Sequence, residues 1–315
     1  MTATGMSAAA IESAYLDAEL GAYLRDLAEN AAAVAGTAPD LDGLRRGARA
    51  ARLQAARGGP PMSAVDLTVG PLAARLYMPL ASQGLIVYLH GGGWVLLDLD
   101  THDHILRTLA QLTGCAVVGL DQPRAPEVRF PALPMACAQA LQDVRRHPTL
   151  APLADQGLIL SGDSSGANLA LAVAVSSPAA CAALLLFYGV FDSRLDRPSF
   201  RRFGKPPFLL SPDRMTMFWD HYCDPDLRLH PDAAPVLHDR QALAALPPIH
   251  LTIAGSDVLL DENIEMASHL AAAGVSITTN LVERAPHGFI EAIGQSRLAD
   301  TAMAVAAAWV RGQIA

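Results

Sequence analysis

Hydrophobic and polar positions divide the chain near residue 60. Before that point Leu16, Leu20, Tyr23, Leu24 and Leu27 recur at helical spacing, with Asp17, Glu19, Arg25 and Asp26 between them, which predicts an amphipathic helix. A second helix, rich in Arg and Ala, follows Asp40 and ends near Gly58-Gly59-Pro60-Pro61. Beyond it the pattern changes to short β-rich runs at Val65–Val69, Ala73–Met78, Leu85–Leu89, Ala116–Leu120, Leu158–Leu160, Ala183–Phe187, His250–Ile253 and Ile277–Val282. After the third run, helical stretches such as Ala132–Arg146 and Asn168–Val175, or longer insertions, alternate with them. The later runs are continuously apolar, as suits strands covered on both faces. This alternation, with right-handed crossovers, predicts a mainly parallel eight-stranded α/β sheet with helices on both sides. The interval from about Phe191 to Pro235, rich in Pro, Arg, Met and aromatics, breaks the alternation. It is too long for a simple connection, and such insertions in compact domains are often lids. The expected organisation is an N-terminal helical segment at 1–60, core at 61–190 and 236–315, and an insertion at 191–235.

With 315 residues the length prior of about 150 residues per domain suggests two domains, although α/β folds of this size are often one. Hydrophobic residues are 51% and charged residues 17%, which supplies a large core and excludes disorder and coiled coil. Lys+Arg is 23 against Asp+Glu 31, a net charge of −8 with no basic stretch, so nucleic acid is not an expected partner. No apolar run reaches the roughly 18 residues of a membrane span, and Met1 to Ala10 lacks the basic-then-apolar pattern of a signal peptide. Cys115, Cys137, Cys181 and Cys223 show no C-x-x-C pair or regular spacing. Buried free thiols in a reducing cytoplasm are expected, not a disulfide or zinc site.

Gly162-Asp163-Ser164-Ser165-Gly166 directly follows the apolar run Leu158–Leu160 and leads into a helix at Asn168. G-x-S-x-G between a strand and a helix is the sequence form of a nucleophile elbow. Its strained turn lifts the serine hydroxyl clear of the sheet, leaves the Ser165 N–H on the same side, and needs glycines where backbones pass closely. A small-residue turn without chemistry is the bland alternative. His90-Gly91-Gly92-Gly93-Trp94 follows the run Leu85–Leu89. Three glycines at a strand end can bring bare N–H groups up to the oxyanion of acyl transfer. A turn that needs only positive φ, or a phosphate cradle, would also use glycines, but neither G-K-[ST] nor G-x-G-x-x-G accompanies them.

An elbow serine needs a base and an orienting acid, in the order Ser, acid, His. Asp257 follows the run His250–Ile253 after a Gly-Ser turn, and His287 follows the last β-rich run in Ala285-Pro286-His287-Gly288-Phe289. Both fall just past strand ends, where open α/β sheets place their sites. His287 would take the Ser164 proton and return it to the leaving group, with Asp257 holding the imidazole. Asp261 and Glu262 are rival acids, but they sit at a predicted helix start, where a carboxylate complements the dipole. In His102-Asp103-His104 residues at i and i+2 do not face each other on a helix and no further ligand cluster is near, so no metal site is expected. In the stretch Phe208, Leu209, Leu210, Met215, Met217, Phe218, Trp219, Tyr222, packing and pocket lining compete. Leu210 and Phe218, with Trp94 and Phe289, are the expected substrate-binding residues.

Taken together these residues resemble the hormone-sensitive-lipase-like α/β-hydrolases, bacterial esterases with an H-G-G-G motif and a G-D-S-A-G elbow. The resemblance runs from about Val65 to the C-terminus. It rests on His90-Gly91-Gly92-Gly93-Trp94, Arg124-Ala125-Pro126-Glu127 with Phe130-Pro131-Ala132, Gly162-Asp163-Ser164-Ser165-Gly166, Asp257-Val258-Leu259-Leu260-Asp261-Glu262 and His287-Gly288-Phe289. It implies an α/β-hydrolase fold, a nucleophile at Ser164, an acid at Asp257, a base at His287, and an oxyanion hole from the N–H groups of Gly92, Gly93 and Ser165. It also implies a helical cap built from the N-terminal segment and the Phe191–Pro235 insertion. Cytosolic carboxylesterase activity on short acyl chains, no cofactor and frequent homodimers belong to the same implication. Three departures stand out. Gln122, Pro123 and Arg124 replace the usual Tyr-Arg-Leu, removing an aromatic and an arginine expected to brace the loop near the site. Ser165 and Ala167 replace an alanine and a glycine of the elbow, with Ser165 expected to act through its backbone. Leu97 replaces a glycine and is expected to narrow the pocket mouth.

The expected activity is that of a serine carboxylesterase on a small-molecule ester, through an acyl-enzyme. An amide or formamide hydrolase, or a deacetylase of a specialised metabolite, would use the same triad. A non-catalytic small-molecule receptor on this fold usually lacks a triad residue, and this chain keeps all three. Long-chain lipase action is not expected, because no long apolar surface segment would seat on lipid.

Overall fold

A computed structural model of the protein describes residue 12 and residues 14–35, 40–55 and 58–314. Met1 to Ala10, read above for the lack of a signal peptide, lies outside the described residues. All eight β-rich runs become strands of one sheet, in the order β1-β2-β4-β3-β5-β6-β7-β8. They are β1 (Ala64–Val69), β2 (Leu72–Tyr77), β3 (Leu85–Leu89), β4 (Ala116–Leu120), β5 (Leu158–Asp163), β6 (Ala183–Phe187), β7 (Ile249–Ser256) and β8 (Ile277–Pro286). The β1–β2 and β2–β4 pairings are antiparallel and every other pairing is parallel. Every residue of β3, β4, β5 and β6 is buried, which is why their runs read as unbroken apolar stretches.

The carboxyl ends of β5, β7 and β8 extend past the apolar runs that predicted them. Hydrophobicity marks only the length of strand covered by helices, whereas the ladder continues through Gly162-Asp163, Gly255-Ser256 and Ala285-Pro286. These extensions carry the site.

The longer helices are α1 (Ala18–Ala35), α2 (Leu41–Ala55), α3 (Asp103–Thr113), α4 (Ala132–Val144), α5 (Ser165–Ser176), α6 (Pro212–Tyr222), α7 (Leu260–Ala272) and α8 (Arg297–Ile314). The pair α3 and α8 packs together, as does the pair α4 and α5, and both pairs flank the sheet. Helix α5 starts at Ser165, three residues earlier than the pattern placed it. Ser165, Gly166 and Ala167 carry little hydrophobic signal, yet all are buried in its first turn.

Helices α1 and α2 pack on each other and on the turn Phe289–Ala292. In the 191–235 interval α6 starts on Ser211, whose side chain accepts from the Arg214 N–H, with Pro212 at the first helical position. Its Tyr222 stacks on Trp94, with ring centroids 4.1 Å apart and planes 3° from parallel. That contact fixes the insertion to the end of the glycine loop. No helix among the described residues is long and apolar enough to cross a membrane. The four cysteines are free and buried, and burial pushes the thiols of Cys137 and Cys181 up to about 12.

Candidate active site

Three loops at the carboxyl end of the sheet converge. Ser164 directly follows β5, with φ 53° and ψ −119°, a backbone conformation an L-residue adopts only when its surroundings impose it. Helix α5 can leave so sharply because position 166 is glycine. A Cβ there would lie 2.0 Å from the Leu89 carbonyl oxygen of β3. Asp257 follows β7 and His287 follows β8.

His287 Nδ1 lies 2.7 Å from Asp257 Oδ2 and its Nε2 lies 2.9 Å from Ser164 Oγ. A carboxylate only accepts, so Nδ1 carries the proton and Nε2 is free to receive one from the serine hydroxyl. Asp257 is itself buried, and its other oxygen accepts from the Leu259 N–H at 3.1 Å. Burial works against the imidazolium of His287, but the charge and hydrogen bond of Asp257 outweigh it and hold the ring's pKa above its ordinary value.

The glycine loop lies beside the serine. Among the described residues the N–H groups of Gly92, Gly93 and Ser165 find no protein acceptor, so all three stay free for a ligand oxygen. The loop itself is held from several sides. The Gly91 N–H donates to Asp163 Oδ1 at 2.8 Å, as does the Tyr88 hydroxyl at 3.0 Å. His102 Nε2 lies 3.3 Å from the same oxygen. Burial opposes both charges of this His102–Asp163 pair. Each partner nevertheless stabilises the other's ionised form, raising the His102 pKa and lowering that of Asp163.

Local support at 122–124 comes from other groups than the family's aromatic and arginine. The Gln122 amide exchanges two bonds with His90: Nε2 donates to the His90 carbonyl at 2.7 Å, and Oε1 accepts from the His90 N–H at 3.3 Å. Arg124 donates to the Leu97 carbonyl at 2.6 Å. Ser165 acts through its side chain too, because its hydroxyl accepts from the Trp94 N–H at 3.0 Å. Leu97 takes φ 70°, the left-handed conformation a glycine would adopt freely, and lines the cavity.

A cavity of about 320 Å³ opens above Ser164, His287 and the glycine loop, walled by α1, α2 and α6. Trp94, Leu210 and Phe218 line it. Phe289 does not. The chain reverses at Gly288 (φ 78°) and sends Phe289 into the core, where it packs on Tyr188 with centroids 5.7 Å apart. Tyr188 in turn packs edge-on against His287 at 5.0 Å, so Phe289 acts one layer behind the site.

The rival acids are committed elsewhere. Asp261 accepts from the Ser199 N–H at 2.8 Å, while Glu262 accepts from the Phe191 and Asp192 N–H groups at 2.7 and 3.2 Å. They anchor the start of the insertion to α7 rather than capping their own helix. In His102-Asp103-His104, His102 serves Asp163, and Asp103 accepts from the Tyr77 hydroxyl at 2.7 Å. Among the described residues no group of three or more His, Cys, Asp or Glu could hold a metal ion.

Sequence reasoning missed Asp163 and His102 as supports, and Arg52 and Arg214 as cavity residues. Asp163 lay inside a recognised motif. The others gave no local signal, because the helical period tells which residues share a face and not what that face covers.

A family model described as the α/β-hydrolase fold matches residues 86–291. The chain belongs to the α/β-hydrolase family. Among curated relatives, this α/β hydrolase is 31% identical over 248 residues to an acetyl esterase of Salmonella schwarzengrund, covering 76% of each chain. It is 32% identical to the esterase LipI of Mycobacterium tuberculosis, covering 73% of this chain and 76% of that one. Among solved structures, it superposes on a hyperthermophilic esterase from Pyrobaculum calidifontis with a TM-score of 0.83 and 28% identity, covering 95% of this chain and 98% of the other.

Proposed function

We propose that this α/β hydrolase is a serine carboxylesterase for small esters of short-chain acids, with Ser164 as nucleophile, His287 as base and Asp257 as orienting acid. The reaction class is carboxylic ester hydrolysis. Ser164 Oγ attacks the ester carbonyl as its proton passes to His287 Nε2, and Asp257 stabilises the imidazolium that forms. The developing oxyanion takes the N–H groups of Gly92, Gly93 and Ser165. His287 then protonates the departing alcohol, leaving an acyl group on Ser164. A water deprotonated by the same nitrogen releases the acid.

The observation that carries this reading is the unbroken hydrogen-bond chain from Ser164 through His287 to Asp257, 2.9 and 2.7 Å long, at the floor of the cavity. Acetyl and other esterases among the relatives support the short acyl chain. In the same reading α1, α2 and the 191–235 interval form a cap over the α/β core, the protein is cytoplasmic, and it acts as a homodimer. Four free buried thiols suit a reducing compartment.

Hydrolysis of p-nitrophenyl esters from acetate to laurate, with Ser164→Ala alongside, tests the proposal. Turnover greatest on short chains and abolished in the variant is expected. A folded protein inert on every ester would overturn it, and sedimentation velocity reads the dimer separately.

A further inference from the structure

Two guanidinium groups line the cavity above Ser164, Arg52 from α2 and Arg214 from α6. Their electrostatic situations are opposite. Arg52 is matched, with its Nε 2.8 Å from Glu291. Arg214 has no such partner. Its side chain donates to the Leu209 carbonyl at 3.3 Å, and among the described residues no carboxylate lies within ion-pair distance. None of the undescribed residues carries an acidic side chain. Several other arginines are paired: Arg45 with Glu127 at 2.7 Å, Arg49 with Asp98 at 2.7 Å, and Arg228 with Asp220.

The cavity's own carboxylates are occupied. Glu291 faces Arg52 and accepts from Tyr23, and Asp163 faces Tyr88, Gly91 and His102. The Arg214 side chain stays open, so a ligand can reach it. The surrounding protein and the charge of Arg52 both disfavour its ionised form, drawing its pKa below the ordinary arginine value. A guanidinium cannot escape by losing its proton at working pH. The free protein therefore presents an exposed guanidinium at the cavity with no carboxylate partner among the described residues, available to a ligand's carboxylate.

We infer that Arg214 is a specificity residue that selects esters bearing a carboxylate, its planar fork taking the two oxygens while the ester carbonyl sits at Ser164. The apolar link between the two groups would lie along Leu209, Leu210, Met215 and Phe218, which share the cavity wall with Arg214. The inference rests on the esterase reading and sharpens its substrate class.

Matched pairs of esters test it. On the acyl side the pair is mono-p-nitrophenyl adipate and its neutral methyl ester. On the alcohol side it is 3-acetoxybenzoate and its methyl ester. The quantity read is the ratio of kcat/KM, anionic over neutral, within each pair. In the native protein it is expected to reach about 10 or more in at least one pair, chiefly through KM, and to fall as salt is added. Arg214→Gln should bring that ratio to about 1, Arg214→Lys should keep part of it, and Arg214→Glu should favour p-nitrophenyl 6-aminohexanoate instead. The lysine variant also controls for the folding of α6. A native ratio near 1 in both pairs, or one that Arg214→Gln leaves unchanged, overturns the inference while leaving the esterase reading intact. No turnover of any of the four esters overturns both.

Discussion

Replacing Gly93 by alanine tests the oxyanion reading most directly. Gly93 has φ +63°, and a Cβ built there lies 2.5 Å from three ring carbons of Phe218. The left-handed backbone alone costs an alanine about 1–2 kcal/mol. Ordinary carbon–carbon contacts are about 3.5–4.0 Å, so the ring or the loop must give by about 1 Å. Phe218 is itself buried, on a helix pinned to Trp94 by Tyr222. Part of the displacement therefore falls on the loop, whose N–H groups are the proposed donors. Losing one such donor costs about 10²- to 10³-fold in rate. Gly93→Ala should lower kcat on p-nitrophenyl acetate about 100-fold, with KM changed far less. Phe218→Ala removes the obstruction, so in that background Gly93→Ala should cost about 10-fold or less, the remainder being the backbone penalty. Steady-state kinetics of the four proteins gives the coupling. An equal loss in both backgrounds would show that Phe218 does not transmit the effect. A single variant with native kcat would remove Gly93 from the oxyanion site.

Three further outcomes follow from the charged groups. Because His287 must be neutral to accept a proton and Asp257 holds its pKa up, the acid limb of the kcat/KM profile should lie above the ordinary histidine value. Asp257→Asn should move that limb to lower pH and cut kcat by about 10⁴, and a pH profile with an unmoved midpoint would deny the coupling. Asp163→Asn strips the charge from the buried His102 pair and should destabilise the fold by about 3–5 kcal/mol. His102 has a raised folded pKa, so its stabilisation is full below the unfolded value and fades as pH rises through the folded one. Thermal melts across pH should show that slope in the native protein and not in the variant. Glu262 is buried and burial pushes its carboxyl well up, so the fold binds its proton more tightly than the unfolded chain and loses stability as pH climbs from the unfolded carboxyl value. Glu262→Gln should therefore raise Tm at pH 8 by about 2 °C or more, with a smaller gain at pH 4; a loss at pH 8 larger than that at pH 4 would mean the side chain is ionised when folded.

The parts legible in the sequence share a physical cause. Each strand of the inner sheet is buried on both faces, so its apolar run stands out, and a polar residue placed just past such a run reads as something held at a strand end. Ser164 and Asp257 are of that kind, whereas His287 follows β8, an edge strand whose first residues are largely exposed, and was read from its place after the last β-rich run. The elbow glycine is legible for a related reason, since any side chain at position 166 would strike the β3 backbone. The supports were not legible, because each depends on a partner far along the chain. His102 meets Asp163 and Gln122 meets His90 only after β3, β4 and β5 have been laid side by side. Gln122 shows the consequence. Its departure from the family pattern reads as a change of local support, and the atoms that supply the new support, its own amide and the His90 backbone, are not readable from the sequence. Phe289 fails in the opposite direction, lying beside His287 in sequence but turned away from it by the left-handed Gly288. Strand-end chemistry is constrained locally, whereas the cavity wall is assembled from α1, α2 and α6, whose periodicity says only that each has a buried face. Reaction class therefore resides in short motifs, and substrate choice resides in the residues those three helices turn inward, Arg214 among them.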